Sequence, residues 1–180
     1  MKIPGKHNIF NSLAALATAR TLKIPDKISF SALEKYKGSW RRFEIKKSLL
    51  AGCRSLIITV SDYAHHPTEI KATLLAAREK WPRKKIWCVF QPHQYQRTYY
   101  LFKDFVKVFK QSVVDKIIDK IIITDIYDVA GREQKNLKKK INAKKLVKAI
   151  NNPAINYLPK KDILNFLKKN LKGGEVVLFA

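Results

Sequence analysis

Acidic side chains are scarce in this sequence: 14 of its 180 residues are Asp or Glu, against 37 Lys or Arg, leaving a net charge of +23. Glycine is scarcer still. The six glycines (5, 38, 52, 131, 173 and 174) nowhere fall into a G-x-x-x-x-G-K-[ST] or G-x-G-x-x-G spacing, so the chain has no recognisable loop to cradle a nucleotide triphosphate. The two cysteines, Cys53 and Cys88, lack metal-ligand spacing and read as buried thiols in a reducing compartment. No apolar run nears the roughly 18 residues of a membrane-spanning helix, and no apolar segment with a small-residue cleavage site follows the first residues. These absences predict a cytoplasmic protein with no membrane partner.

Hydrophobic residues, by contrast, make up 46% of the chain, enough to bury a core. The length suits one domain, or one domain with a fragment of another. A pI near 10 raises nucleic-acid binding first. Only eight of the 37 basic residues are Arg, however, and Arg is the residue favoured for bidentate base and phosphate contacts. The lysines spread over helix faces, and the runs at Lys138 to Lys140 and Lys144 to Lys145 read as solvated surface. A non-catalytic basic α/β module that binds nucleic acid stays open as an alternative, although no specific nucleic-acid partner is expected.

Periodicity predicts two helices first, Asn8 to Leu22 and Ser29 to Tyr36, the second capped by Ser29 or Ser31 and ended by Gly38. A polar, aromatic connection, KGSWRRFE, then marks a domain boundary. Beyond it strands and helices alternate: strands at 55–60, 86–90, 121–124, 155–158 and 176–179, with helices at 67–81, 98–111, 143–150 and 161–171. Alternation at these lengths predicts an α/β fold, a Rossmann-like, mostly parallel sheet with helices on both faces. Ligands of such sheets bind beyond the carboxyl ends of the strands.

Three of the four histidines fall at that edge. His65 and His66 lie in SDYAHHPTE after the first predicted strand, and His93 lies in QPHQYQRT after the second. Asp62, Tyr63, Glu69, Tyr95 and Arg97 share these loops, a mixture suited to a small anionic or zwitterionic ligand. Arg97 suits a carboxylate or phosphate through paired charge-assisted hydrogen bonds. Adjacent histidines diverge and no i, i+4 pair is present, so no metal site is expected; one of the pair is expected to hydrogen-bond the loop backbone. Phe102, Phe105 and Phe109 follow helical spacing and read as core. His7, in PGKHNIFN, stands at a helix start, where capping is as good a reading as ligand contact.

Four motifs, PGKHNIFNSLAALATA, KGSWRRFE, DYAHHPTEI and FQPHQYQRT, stand in the order and near the spacing found in the Mur ligases, which this chain resembles over nearly its whole length. DIYDVAGRE is a weaker fifth match. Within the family the likeness is greatest to the ligases that join L-alanine to UDP-N-acetylmuramate in peptidoglycan synthesis; a peptide-recycling relative, which usually lacks the fourth motif, is the alternative. The resemblance implies that residues 1–38 are a short helical remnant, the tail of a central ATPase domain. Residues 39–180 would then be the C-terminal, amino-acid-binding domain that closes over the site. It implies ATP and Mg2+ as cofactors, held mainly by parts that precede this chain, and hence a separately encoded N-terminal fragment as partner, without which the chain would be inactive. By position, His7, Asn8 and Asn11 would meet the adenine end of ATP, and Arg42 and Asp62 would help hold the nucleotide. Tyr63, His65, His93 and Arg97 would line the alanine pocket, with His65, His93 and Arg97 catalytic and Arg97 facing the alanine carboxylate or the intermediate. His66, Pro67 and Thr68 would shape the loop. The sequence departs from the family at Gln94, where Arg is common, at Ser61, where an acid is frequent, and after GGEVVLFA, where a glycine-rich turn is absent.

Overall fold

The computed structural model describes residues 3–49, 56–129 and 136–180. Helices α1 (Lys6–Thr21) and α2 (Asp26–Lys35) come first, followed by strands β1 (Glu44–Ser48) and β2 (Ile57–Ser61). Then follow α3 (Pro67–Lys80), β3 (Ile86–Phe90), α4 (Tyr95–Tyr100), α5 (Phe102–Val114), β4 (Lys120–Ile123) and α6 (Leu137–Lys140). The chain closes with α7 (Ala143–Ile150), β5 (Ile155–Tyr157), α8 (Ile163–Asn170) and β6 (Val176–Phe179). The six strands form one sheet in the order β1-β2-β6-β3-β4-β5, parallel except for β1, which runs antiparallel along β2. The α/β, mostly parallel sheet expected from the sequence is therefore the fold found.

Strand alternation sorts the core onto two faces. Ile86, Cys88 and Phe90 of β3 turn toward a large cluster that includes Leu74 of α3, Phe105 and Phe109 of α5 and Leu146 of α7. Val89, with Ile57, Ile122 and Val177, turns the other way, against Leu167 of α8 and Leu171. Helices thus cover both faces, which is why these strands read as unbroken apolar runs. Cys88 is fully enclosed, and burial pushes its thiol up to about 12, leaving it unreactive; Cys53 lies outside the described residues.

The details depart from the sequence reading in places. Strand β1 (EIKKS) was not foreseen, because an exposed edge strand carries no apolar alternation. Helix α2 begins after Pro25 with no side-chain cap and ends at Lys35, where Tyr36 turns extended, so neither Ser29, Ser31 nor Gly38 delimits it. The helix expected at 98–111 is two helices, broken at Leu101.

Helices α1 and α2 bury none of their residues. They pack on each other, α1 touches α3, and the exposed Arg20–Asp26 pair joins the end of one to the start of the other.

Candidate functional site

The carboxyl ends of β2, β3 and β6 converge on one edge, and the loops leaving them build the site. After β2, the amide of Asp62 donates to Phe179 O and that of Tyr63 to Arg41 O, at 2.9 and 2.8 Å. The Phe43 amide donates to Asp62 Oδ2 at 2.9 Å, and the Phe43 ring stacks on Trp81. The segment between α2 and β1 is thereby tied to the end of β2. Arg41 and Phe43 both hold φ 52, a left-handed backbone that costs about 1 kcal/mol for a residue other than glycine. With it, Arg41 and Arg42 are sent to different cavities.

The first cavity, about 340 Å³, is lined by Arg41, Tyr63, His65, His93 and Tyr127, with Asp62 and Gln91. Its aromatic rings touch in series: Tyr63 lies 5.1 Å from His65, His65 6.0 Å from His93, and His93 5.2 Å from Tyr127, on which it stacks. His65 Nδ1 lies 2.9 Å from Tyr63 O; a carbonyl only accepts, so Nδ1 carries a proton, and in the neutral ring Nε2 is the acceptor. Arg97 Nη1 is 3.5 Å from His93 Nδ1 and 3.4 Å from His93 O. A guanidinium only donates, which leaves the His93 ring proton on Nε2. In their neutral forms the two imidazoles therefore carry their protons on different nitrogens, His65 on Nδ1 and His93 on Nε2.

His66 turns away from the cavity and caps α3, its Nδ1 accepting from the Thr68 amide at 3.3 Å. Glu69 closes the capping box by accepting from the amides of His65 and His66. Partial burial resists ionisation of Glu69, but those two amides, with His65 and Arg42 nearby, hold it below the usual carboxylate range.

The second cavity, about 510 Å³, lies between α1 and α3 and is lined by His7, Asn8, Asn11, Arg42, Thr68 and Glu69 among others. Asp62 borders both cavities and is 6% exposed. Burial raises its pKa, an effect only partly offset by the Phe43 amide, Arg42, the Ala64 amide and His7.

The residues singled out in the sequence thus separate into two neighbouring groups. Tyr63, His65 and His93 share the first cavity; His7, Asn8, Asn11 and Arg42 share the second; Asp62 belongs to both. Arg97 lies behind His93 and does not line the first cavity. Sequence reasoning missed Arg41 and Tyr127. Tyr127 stood in DIYDVAGRE, the weaker fifth match and the one signal in the sequence, whose residues from 130 onward lie outside the described ones; the structure bridges it to His93. Arg41 could not be told from Arg42 without the left-handed turn. Among the described residues no group of three or more His, Cys, Asp or Glu side chains could hold a metal ion. Nor is any helix of the described residues long and apolar enough to cross a membrane.

Residues 41–180 match the family model described as Mur ligase, glutamate ligase domain. The UDP-N-acetylmuramate–L-alanine ligase of Clostridium acetobutylicum is 44% identical over 99% of this chain, which spans 36% of that protein. The chain thus covers about a third of the length of the curated relatives it matches. The crystal structure of UDP-N-acetylmuramate-alanine ligase from Thermotoga maritima is 26% identical with a TM-score of 0.68, over 99% of this chain and 35% of that one. A murein peptide ligase from Psychrobacter arcticus, 22% identical with a TM-score of 0.58 over 97% of this chain and 34% of its own, shares the fold.

Proposed function

The chain belongs to the Mur ligase family, and from that premise we propose that it is the amino-acid-binding portion of an ATP-dependent ligase joining L-alanine to UDP-N-acetylmuramate in peptidoglycan synthesis. The observation that carries this reading is the 44% identity, over 99% of the chain, to a relative of that name. Residues 1–38 are read as the tail of a central nucleotide-binding domain and residues 39–180 as the domain that closes on it. The family match beginning at residue 41 supports that division, as does the absence of buried residues in α1 and α2.

In the reaction, the γ-phosphoryl group of ATP passes to the muramate carboxylate to give an acyl phosphate. The alanine amine attacks the carbonyl carbon, and the tetrahedral intermediate collapses by breaking the bond to phosphate while the new C–N bond remains. The attacking nitrogen must shed a proton, and His65, with Nε2 free, is placed to accept it. His93 offers an N–H toward negative charge developing on the carbonyl oxygen. Arg97 supports that ring from behind. His7, Asn8, Asn11 and Arg42 hold the adenine end and the nucleotide in the second cavity, with Asp62 fixing the hinge between the two sites.

The test is reconstitution. The chain is mixed with the separately expressed preceding two thirds of the Clostridium acetobutylicum relative, and phosphate release is followed. Release that requires both pieces and L-alanine, and that falls at least about 100-fold in His65→Ala, is the expected result. Release stimulated by a muropeptide-derived tripeptide but not by L-alanine would reassign the substrate, and unchanged activity in His65→Ala and Arg97→Ala would overturn the residue roles.

A further inference from the structure

We infer that the outward faces of α5, α6 and α7 form one lysine surface that docks on an anionic membrane surface and holds the protein there peripherally. The inference is independent of the ligase reading. It concerns a surface contact, for which no membrane-spanning helix is needed.

The three helices carry three lysines each: Lys103, Lys107 and Lys110 on α5, Lys138, Lys139 and Lys140 on α6, and Lys144, Lys145 and Lys148 on α7. All are exposed. The same helices hold no Arg and a single acid, Asp104. Helices α5 and α7 pack against each other on one face of the sheet, burying Phe105 and Phe109 of the first and Leu146 and Ile150 of the second. The i, i+4, i+7 spacing of Lys103, Lys107 and Lys110 sets them on the stripe opposite those phenylalanines, and Lys144 and Lys148 lie likewise opposite Leu146. Packed helices run about 8–10 Å apart. Screening in physiological salt acts over about 8 Å, so the lysines of neighbouring helices present one field.

Little within the molecule answers that charge. Lys138 pairs with Asp128, but among the described residues no carboxylate pairs with Lys103, Lys107, Lys110, Lys139 or Lys148. Lys103 and Lys107 are like charges one turn apart, as are Lys144 and Lys148. Lys144 and Lys145 also stand in the first turn of α7, at the positive end of its dipole, with no acid beside them. Each arrangement is unfavourable in the isolated protein and becomes favourable against a negative plane. The residue type fits such a plane: lysine is a point charge suited to a diffuse negative surface, whereas nucleic-acid phosphates and bases favour the fork of Arg. Tyrosines border the lysines. Tyr100 is 65% exposed and Tyr99 39%, with Lys140 Nζ 5.9 Å from the centre of the Tyr99 ring. Such amphipathic rings settle at a membrane–water interface. No residue of the three helices lines the first or the second cavity, so the contact is made by residues outside both.

The test is co-sedimentation of the 180-residue chain with phosphatidylcholine vesicles that contain either no phosphatidylglycerol or about 30 mol% of it, in about 0.15 M salt. Binding to the anionic vesicles alone is expected. Lys→Gln at positions 103, 107, 110, 144 and 148 together should weaken it by at least about 100-fold. The same change at Lys27, Lys35, Lys161, Lys168 and Lys169, exposed lysines away from these helices, removes equal charge and should weaken it by less than about 5-fold. Glutamine is a good helix former, so both variants should keep the melting temperature of the unaltered chain within a few degrees. Equal losses in the two variants would show that net charge, not this face, draws the protein to the vesicles. Absence of binding by the unaltered chain, or its displacement from the vesicles by a single-stranded RNA that binds more tightly and is released by the first set of substitutions, would be equally adverse. Any of these three results overturns the inference, the last by assigning the face to nucleic acid.

Discussion

The sheet region and the α1–α2 pair obey different rules of stability although they meet at one site. Phe90, Phe105 and Phe109 are buried to 1% exposure or less, and Ile121, Ile122 and Ile123 are fully enclosed. Each such side chain is worth about 1.5–3 kcal/mol of transfer from water. In the helical pair the same residue types lie open: Phe10 is 68% exposed, Ile28 60% and Leu22 67%. Helices of this length are marginal without tertiary burial, so propensity and a few contacts with each other and α3 are what hold them here. A cavity nevertheless lies between the two regions, with His7, Asn8 and Asn11 on one wall and Arg42 and Thr68 on the other. One half of that site is built on a rigid frame and the other on a segment with almost no core of its own.

The sharpest way to break this contrast is to shorten one phenylalanine in each region. Phe109→Ala should destabilise by about 3–5 kcal/mol, through lost transfer energy and a cavity between β3 and α5. Phe10→Ala should change stability by no more than about 0.5 kcal/mol. Denaturant unfolding monitored by circular dichroism reads both. A Phe10→Ala cost comparable to that of Phe109→Ala would mean that α1 belongs to the same cooperative unit as the sheet.

A smaller effect separates the helix starts. Helix α3 is fixed by the His66–Glu69 capping box, whereas α1 and α2 have no side-chain cap. Glu69→Ala removes the acceptor for two amides and should cost about 1–2 kcal/mol. It should also broaden the His65 amide and ring signals, because the same carboxylate holds the loop at the first cavity. No such loop response is expected from Asp26→Ala, which breaks only an exposed ion pair.

The contrast also explains what was readable in advance. Strands β2, β3, β4 and β6 announce themselves because both faces are covered and every position is apolar. β1, with the pattern EIKKS, and the single-turn α6, LKKK, give no such signal, since solvent rather than packing decides their side chains. The histidine loops were legible because chemistry and topology coincide there: a polar cluster directly after a strand falls at the carboxyl edge whatever the exact strand length. The grouping of His7, Asn8 and Asn11 in one cavity with Arg42 was legible only through resemblance, as nothing in the spacing of α1 says which element it faces. Arg41 was not legible at all. Left-handed residues on either side of Arg42, Arg41 and Phe43, invert the usual expectation of where neighbouring side chains point, and Arg97, the residue favoured by its loop, lies against His93 and outside the lining of the first cavity.

The smallest predicted effect tests the joint between the two regions. Asp62 accepts from the Phe43 amide and so ties the hinge to β2, yet its burial raises its pKa above the ordinary 3.8. A carboxyl whose folded pKa is raised binds its proton more tightly in the native state. Its favourable contribution is complete below the unfolded value and is lost as pH rises through the folded one. At neutral pH the buried charge is therefore a net cost, borne for the hinge and for the two cavities it borders. Asn keeps an oxygen for the Phe43 amide without the charge. Asp62→Asn should match the unaltered chain near pH 3 and melt a few degrees higher at pH 7, by thermal unfolding followed at both pH values. A lower melting temperature at pH 7 would show instead that the ionised carboxylate, through the Phe43 amide and Arg42, stabilises the hinge by more than its desolvation costs, making charge rather than packing the means by which the helical pair is joined to the sheet.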